Sequence, residues 1–461
     1  MEFSHSAPLP NGWTMLSLES VCKKITSGGT PSRKYPEFYE GGTIPWVKTK
    51  ELNDSWIYDT EEHITDKALN TSSAKLLPRN TILLAMYGAT VAQLGILANK
   101  MACNQASCAL IADEEKAHFR FLFYLLLEHR KVIKSLSVGA AQQNLSAKQI
   151  KQFSFGFPLF AEQRAIAHIL GSLDDKIELN RQMAQTLESI ARAIFKSWFV
   201  DFDPVVVNAL RAGNSIPDKF TKRAARYRDN PDELSLSEEI QCQFPDRFQD
   251  SELGPIPERW EIGPLKQIAS LSTKTIQPKN DPLKLWVHYS IPAYDDGKMP
   301  KTEQGQTIMS GKYLVPKHAV LASKLNPQFP RVWLPMQDGI EDSICSTEFM
   351  PFIPRDSDER NLLYMFFLSD VAQREITNRV TGSTGSRQRV RPKDIEQMNI
   401  LIPEKRLRII YSDLTNGLIG LSLEKQDESA TLANIRDTLL PKLISGELRI
   451  KDFERFLGKV A

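Results

Sequence analysis

The chain has 461 residues, of which 25% are charged and 41% are apolar, and its 58 basic and 56 acidic side chains leave a formal net charge of +2. This length corresponds to roughly two to four domains, each large enough to bury a core. A charge balance this close to neutral argues against a uniform coat on nucleic acid and against a polybasic membrane anchor, because both bind through a large field of one sign. It is compatible with a local basic site.

The five cysteines are odd in number and scattered, and residues 1–11 lack the apolar core of a signal peptide. We therefore expect a reduced, cytoplasmic protein. The longest uncharged stretch, residues 81–98, is long enough to test as a membrane span, but it contains glycines and polar side chains. This composition favours buried strands joined by a turn.

The sequence repeats itself. The residues around Trp13 recur around Trp260, 247 positions later, and the segment that ends at Pro158 recurs before Pro403, 245 positions later. The same offset continues through the apolar positions that follow. The chain is therefore predicted to be a duplication with about half of its length in each copy.

Each copy begins with a region rich in glycine, proline and short β-type runs, residues 1–152 and 253–397, which predicts a globular α+β domain. One amphipathic helix is expected in each, at 119–136 and at 361–380. Residues 201–252, between the copies, contain a basic and an acidic run and predict a partly ordered linker.

Each copy continues with a long helical segment, residues 153–200 and 398–461. Apolar or small residues recur there at alternating steps of four and three, the pattern of a coiled coil. The first series is Leu170, Leu173, Ile177, Asn180, Ala184, Leu187, Ala191, Ile194 and Trp198, in which Asn180 is a polar residue that could fix the register. The second is Leu407, Tyr411, Leu414, Leu418, Leu421, Lys425, Glu428, Leu432, Ile435 and Leu439, and Pro441 is expected to end its helix.

The expected fold class is α+β, with two globular domains separated by two long antiparallel coiled-coil helices and a pseudo-two-fold duplication. Packing of each helix on its own domain is the alternative. A seam over residues 173–199 rises about 40 Å, comparable to the 34–36 Å between half-sites on one face of B-DNA. A duplicated protein of this kind suits two unlike DNA half-sites.

No catalytic residue or metal site emerges. Residues 305–313 (GQTIMSGKY) depart from a phosphate-binding loop in spacing and in the residue that would bind magnesium. Residues 326–329 (NPQF) approach a motif of adenine methyltransferases, but the second proline is missing and a turn is the better interpretation. The histidines and cysteines lack metal-binding spacing.

Candidate DNA-binding residues fall into two groups. At the end of each domain, Arg side chains that can pair with guanine or Gln side chains that can pair with adenine lie in a short loop, with a solvated surface loop as the alternative. These are Gln142 and Gln143 in the first domain and Ser386, Arg387, Arg389 and Arg391 in the second. The other group surrounds SGGTPS and WVKTKEL, where phosphate contact or a plain surface charge is expected: Lys23, Lys24, Thr30, Ser32, Arg33, Lys48 and Lys50.

The chain resembles the specificity subunits of type I restriction-modification systems. The resemblance is carried by ITSGGTPS, PLFAEQRAIAHILGSLDDKIELNRQ, SWFVDFDPV, FPDRFQDSELGPIPERW and LLPKLISGELRI. It implies a non-catalytic subunit whose two target recognition domains each read half of a bipartite, asymmetric site in double-stranded DNA. It also implies two modification subunits docked on the helices, two restriction subunits, and S-adenosylmethionine, ATP and magnesium in those partners, with no cofactor in this chain.

Partner-binding candidates on the helices are Leu173, Ile177, Leu187, Ile194, Trp198, Leu418, Leu432, Ile435 and Leu439. Two departures from the family pattern stand out: LSTKTIQPKND replaces the glycine turn in the second domain, and PEKRLRI replaces PLFAEQR before the second helix. Two other hypotheses remain open, a scaffold whose domains bind proteins and a fused methyltransferase that would itself bind S-adenosylmethionine.

Overall fold

The computed structural model describes residues 9–136, 144–230, 233–234, 236–336, 340–380 and 388–450. The chain divides into two compact units, one of residues 1–178 with 431–461 and one of residues 179–430. Each of the two long helices contributes residues to both units.

The described residues of the first unit form ten strands and several helices. The strands are β1 Thr14–Ser17, β2 Cys22–Ser27, β3 Ile44–Val47, β4 Trp56–Ile57, β5 His63–Ile64, β6 Ile82–Ala85, β7 Leu94–Leu97, β8 Ala102–Cys103, β9 Ser107–Ala112 and β10 Ser154–Phe157. The helices are α1 Leu18–Val21, α2 Asp66–Thr71, α3 Phe119–Glu128, α4 Arg130–Ser135, α5 Ala147–Lys151 and the start of α6 Phe160–Phe199. The sheets have the orders β1-β10, β2-β9-β6-β7-β4 and β5-β3-β8.

The uncharged stretch 81–98 forms the β6–β7 hairpin, as the sequence predicted. The side chains of its two strands are buried in the five-stranded sheet, and Leu84 and Leu94 share a core with Phe121 and Leu122 of α3. In the described part of the chain, no helix has the length and apolar character needed to cross a membrane.

The second unit has the same kinds of element. Its strands are β11 Phe248–Gln249, β12 Ile256–Pro257, β13 Glu261–Pro264, β14 Ala269–Leu271, β15 Thr275–Ile276, β16 Leu285–Tyr289, β17 Lys301–Gln304, β18 Lys312–Leu314, β19 Val320–Ser323, β20 Val332–Trp333, β21 Ser343–Cys345, β22 Phe349–Pro354 and β23 Asn399–Ile402. Its helices are α7 Asp203–Ala212, α8 Thr221–Asp229, α9 Glu238–Gln241, α10 Ile291–Asp295, α11 Arg360–Leu368, α12 Asp370–Asn378, α13 Pro392–Glu396 and most of α14 Lys405–Ile444. The sheets have the orders β11-β12, β13-β23, β14-β22-β19-β20 and β15-β18-β21-β16-β17.

The duplication is confirmed by equivalent elements. In the first unit β1 pairs antiparallel with β10, and in the second β13 pairs antiparallel with β23. Trp13 and Trp260, which precede these pairs, are both buried. A short helix, α5 or α13, precedes the second strand of each pair, and a helix of 40 residues, α6 or α14, follows it.

The prediction of one amphipathic helix in each domain is wrong in detail, because both helices are broken. α3 ends at Glu128 and is capped by His129, whose ring donates from Nδ1 to the carbonyl of Leu125 at 2.8 Å before α4 begins. In the second unit Ser369 has extended backbone, and its hydroxyl caps α12 by accepting from the amide of Ala372 at 3.2 Å. A capped break of this kind lets two short helices follow the curvature of the sheet.

Residues 201–252, predicted as a partly ordered linker, instead form part of the second core. Apolar residues on one face of α7 and α8 are buried with Trp198 and Trp260. In the described part of the charged runs, Arg226 pairs with Glu233, and Arg223 pairs with the buried Asp203 at 2.6 Å. An amphipathic helix with a strongly charged outer face explains why composition alone was misleading.

The long helices run antiparallel in each unit. In the first, Arg436 donates to Asp174 at 2.8 Å and Arg449 donates to Glu162 at 2.8 Å. In the second, the hydroxyl of Tyr411 donates to the carbonyl of Ala191 at 2.9 Å, and that of Ser422 donates to the carbonyl of Ala184 at 3.2 Å. The predicted seam of α6 is buried or half-buried at every position.

The predicted seam of α14 is partly wrong. Leu414 and Ile435 are exposed, whereas Thr415 and Ser422 are buried. Small hydroxyl side chains let the helices approach and satisfy their own polarity, since Thr415 donates to the carbonyl of Tyr411 at 2.9 Å. A heptad pattern based on the leucines of α14 therefore places part of the seam one residue before the positions that are buried.

Pro441 does not end α14, which continues to Ile444. The proline has no N–H to donate to the carbonyl of residue 437, so one bond of the helix is lost. Burial of Leu440, Leu443 and Ile444 in the first core compensates for that loss.

Candidate nucleic-acid interface

Each unit presents a β-hairpin tip built in the same way. In the first unit the tip is residues 86–93 between β6 and β7, and in the second it is residues 324–331 between β19 and β20. The tips are closed by backbone hydrogen bonds of 2.9 Å, from Ala85 to Gln93 and from Ser323 to Arg331.

Both tips turn at a residue in the left-handed region. Gly88 has a φ of 70° and Asn326 a φ of 47°, and the carbonyl of each accepts the amide three residues later, Val91 at 3.1 Å and Phe329 at 2.9 Å. Glycine and asparagine are the residues that adopt this conformation most readily. Residues 326–329 are thus a turn, as the sequence favoured.

Each tip contacts the segment in which base-reading residues were predicted. Tyr87 forms an antiparallel bridge with Asn144, and Leu325 forms one with Arg389. Further backbone bonds of 2.8 to 3.1 Å join these segments, including one from Asn326 to Gln388. The structure therefore brings Arg389, a member of the group predicted at the domain ends, to the second hairpin tip, which the sequence did not identify as part of the site.

Within this group, Arg389 is held by Glu348, whose carboxylate accepts from Nε at 3.1 Å and from the terminal nitrogen at 2.8 Å. Arg391 is exposed at the N-cap of α13. A guanidinium held by two hydrogen bonds is oriented in advance for a planar partner. Four other candidates lie outside the described residues: Gln142, Gln143, Ser386 and Arg387.

In the other predicted group, around SGGTPS and WVKTKEL, Arg33, Lys48 and Lys50 form a basic and aromatic cluster around two glutamates. Lys48 contacts Glu62 at 2.7 Å, Lys50 contacts Glu61 at 2.6 Å, and Arg33 pairs with Glu62. Hydrogen bonding to Lys48 lowers the pKa of Glu62 and raises the pKa of Lys48. These cations are thus partnered within the domain.

The aromatic part of this cluster lies beside Arg33. Its guanidinium carbon lies 4.1 Å from the ring centre of Tyr39 and 5.6 Å from that of Trp46. Of the remaining members of the group, Lys23, Lys24 and Ser32 are exposed, and the hydroxyl of Thr30 donates to Gln105.

The glycine pair in SGGTPS is required by close packing. A Cβ on Gly28 would lie 2.2 Å from the carbonyl oxygen of Cys103, and one on Gly29 would lie 2.2 Å from that of Ser73. The carbonyl of Gly29 accepts from the indole of Trp46 at 3.0 Å. The glycine turn is therefore hydrogen-bonded directly to Trp46, an aromatic residue of the cluster.

The second unit has a counterpart that the sequence reading missed. Trp286 lies 240 positions after Trp46, and His288 contacts Glu303 at 2.6 Å, as Lys48 contacts Glu62 in the first unit. Burial lowers the pKa of His288. The repeat WV in both domains was a usable signal for this equivalence.

The partner-binding candidates on the long helices differ in accessibility. Trp198 is 1% exposed and belongs to the second core, so it presents no surface to a partner in this conformation. Seven are half-buried in the seam: Leu173, Ile177, Leu187, Ile194, Leu418, Leu432 and Leu439. Ile435 is 43% exposed, and Ile190, 245 positions before it and absent from the prediction, is 44% exposed.

Nothing in the described ranges resembles a metal centre, since no group of three or more His, Cys, Asp or Glu side chains could hold an ion there. The five cysteines are all free thiols. Burial raises the pKa of Cys103 and of Cys108 to about 12, which leaves both poor nucleophiles.

Comparisons with known proteins agree with this architecture. The sequence matches the family described as type I restriction modification DNA specificity domain twice, at residues 10–189 and 257–425. It is 24% identical to the type I restriction enzyme MjaIX specificity subunit of Methanocaldococcus jannaschii, covering 96% of this chain and 95% of that one. It is 25% identical to the HindI specificity subunit of Haemophilus influenzae, covering 95% and 99%.

A solved structure shares the fold. The type I restriction-modification S subunit from M. genitalium superposes with a TM-score of 0.52 at 16% identity, covering 95% of this chain and 98% of that one. The two matches of the family along one chain correspond to the two copies found in the sequence.

Proposed function

This chain belongs to the family of type I restriction-modification specificity subunits, and from that premise we propose that its two domains each read one half of a bipartite, asymmetric DNA site. As a specificity subunit it is a DNA-recognition component rather than a catalyst. The observation that carries the proposal is the hairpin tip that recurs in both units, docked each time on the segment with polar, base-pairing side chains. Because the two equivalent tips carry different residues, they suit two DNA half-sites of different sequence.

Charge supports two different roles, one seen in each domain. The basic cluster around Glu62 offers cations to phosphates, which position a duplex without reading its sequence. Arg389, oriented by Glu348, offers the fork that pairs with guanine in the major groove. If Arg389 leaves Glu348 and pairs with a guanine, its two hydrogen bonds to the carboxylate are replaced by two to the base edge.

Selection of duplexes from a random pool by the complete methyltransferase complex tests this proposal. We expect two short motifs separated by a fixed non-specific spacer. Arg389→Ala should relax one motif and leave the other unchanged, with a discrimination loss of about 1–3 kcal/mol at one base pair. A pool without any enriched motif would favour the scaffold hypothesis instead.

We further propose that two modification subunits dock on the long helices, one on each of two equivalent exposed stripes. The stripe on α6 is a shallow groove lined by Gln182, Gln185, Thr186, Ser189, Ile190 and Ala193. The equivalent stripe on α14 is centred on Ile435. Two exposed isoleucines at the same repeat position provide one apolar anchor for each copy of a partner.

Native mass spectrometry of the reconstituted complex tests this docking. Ile190→Glu and Ile435→Glu should each leave a complex with one modification subunit, and the double variant should leave none, because burial of an isoleucine contributes about 1.5–3 kcal/mol. Leu283→Glu, the same change at an exposed position outside the helices, is the matched control. Retention of two modification subunits by the double variant would rule out these stripes.

Under the same proposal, S-adenosylmethionine, ATP and magnesium belong to the modification and restriction subunits, and this chain binds none of them. Calorimetric titration of the isolated chain with S-adenosylmethionine should then give no heat of binding, whereas a fused methyltransferase would give one. A cytoplasmic location is also proposed, and five free thiols fit a reducing compartment.

A further inference from the structure

The second hairpin tip carries an exposed apolar side chain, which cannot read bases through hydrogen bonds. Phe329 is 62% exposed at the end of the turn. Single exposed apolar residues are normal on protein surfaces, so exposure alone has no meaning here. Three features of its surroundings set this residue apart.

The backbone that carries Phe329 is fixed. Its amide donates to the carbonyl of Asn326 at 2.9 Å, and Pro327, between them, has a constrained φ and is buried. At the base of the tip the hydroxyl of Ser323 accepts from the amide of Leu325 at 3.1 Å. The ring is therefore held out from a rigid turn, and little entropy is lost when it contacts a partner.

Phe329 lies in a tip that contacts an arginine suited to reading guanine. Leu325, in the same tip, forms the backbone bridge with Arg389, whose guanidinium is oriented by Glu348. An arginine fork and an apolar side chain are complementary in the major groove, where guanine presents two acceptors and thymine presents a methyl group.

The equivalent tip of the first domain also exposes an aromatic residue. Tyr87 is 39% exposed and forms the backbone bridge with Asn144, the counterpart of Arg389. An exposed aromatic side chain beside a polar segment thus occurs in both copies of the repeat, although the surrounding sequences differ.

We propose that Phe329 is a specificity-determining residue that contacts the C5 methyl group of a thymine next to the base pair read by Arg389. The inference rests on the proposed function, because it assumes that this tip enters the DNA. It assigns to the second half-site a thymine that is recognised by its methyl group and not by a hydrogen bond.

Replacement of thymine by deoxyuridine tests the contact, because it removes only the methyl group. In the complete complex, one thymine-to-uracil change in the half-site that Arg389→Ala relaxes should weaken binding about fourfold, the effect of one buried methyl group. Phe329→Ala should weaken binding to the thymine site by at least the same factor and abolish the difference between thymine and uracil. Met309→Ala, at another exposed apolar position, should keep that difference.

Two outcomes would overturn the inference: no thymine in that half-site whose methyl group matters to the wild type, or a uracil penalty that persists in Phe329→Ala. Failure of the proposed function is distinguishable, because the wild-type complex would then select no bipartite motif. A bipartite motif with unchanged behaviour of Phe329→Ala refutes only the methyl contact.

Discussion

Replacement of Asn180 by leucine should stabilise the second unit. Asn180 lies on α6 in the predicted seam, its side chain is 0% exposed, and neither its oxygen nor its nitrogen has a hydrogen-bond partner among the described residues. A buried amide without partners costs about 1–3 kcal/mol relative to its hydrated state. Leucine branches at Cγ as asparagine does and has no polar atom, so it removes that cost.

The expected gain in unfolding free energy is therefore about 1–3 kcal/mol. For a unit of this size each kcal/mol raises the Tm by about 2–4 °C, so calorimetry should show the second unit melting about 2–12 °C higher. Asn416→Leu, the same change at an exposed position on α14, should shift it by less than about 2 °C.

A loss of stability in Asn180→Leu would refute this reasoning. It would mean that the amide is hydrogen-bonded in solution, through water or a repacked neighbour, and that its burial is favourable. A natural asparagine that destabilises the seam would instead act by fixing one register of the two helices, since polar residues at core positions of coiled coils do so at a cost in stability.

Three further variants test the packing of the chain. Burial lowers the pKa of His118 to about 4, so the unfolded state takes up a proton at a higher pH than the folded state does. The unfolding free energy of the first unit should therefore fall by about 2 kcal/mol between pH 7.5 and pH 5. Urea unfolding should show that this loss is abolished in His118→Gln and kept in the surface control His63→Gln. Gly29→Ala should destabilise the fold by more than about 2 kcal/mol, because the added Cβ would collide with backbone atoms of Ser73. Gly417→Ala should stabilise it by about 0.5–1 kcal/mol, because the added Cβ on α14 meets open space. Thermal denaturation separates the two outcomes. Tyr124→Phe removes a 2.5 Å hydrogen bond to the carboxylate of Asp174, and chemical denaturation should show an unfolding free energy lower by about 1.5–3 kcal/mol. Tyr58→Phe, the same change at an exposed position, should leave the unfolding free energy almost unchanged.

The repeat and the long helices were predictable because their signals are periodic. The offset between Trp13 and Trp260 survives in the structure as two equivalent strand pairs, and the seam of α6 follows from steps of three and four. The seam of α14 was less predictable. Its buried positions include Thr415 and Ser422, whose polarity is satisfied by backbone carbonyls that no one-dimensional pattern reveals.

The candidate site depended on contacts between distant parts of the chain. Lys48 was recognisable as a basic residue, but its pairing with Glu62 follows from the antiparallel pairing of β3 with β5. The hairpin tips were recognisable as turns, yet nothing in the sequence placed Leu325 against Arg389. Local chemistry was therefore readable from the sequence, whereas its grouping into a surface required the fold.

The two domains combine a shared framework with different surface chemistry. The framework consists of buried strand pairs and tryptophans at equivalent positions, which tolerate little change because core packing is dense. The tips differ at exposed or half-buried positions, where Tyr87 corresponds to Leu325 and Asn144 to Arg389, and substitutions at exposed positions cost about 0.5 kcal/mol or less. Recognition can then change at the tips without loss of the fold, and exchange of tip residues between the domains should alter half-site preference before it alters stability.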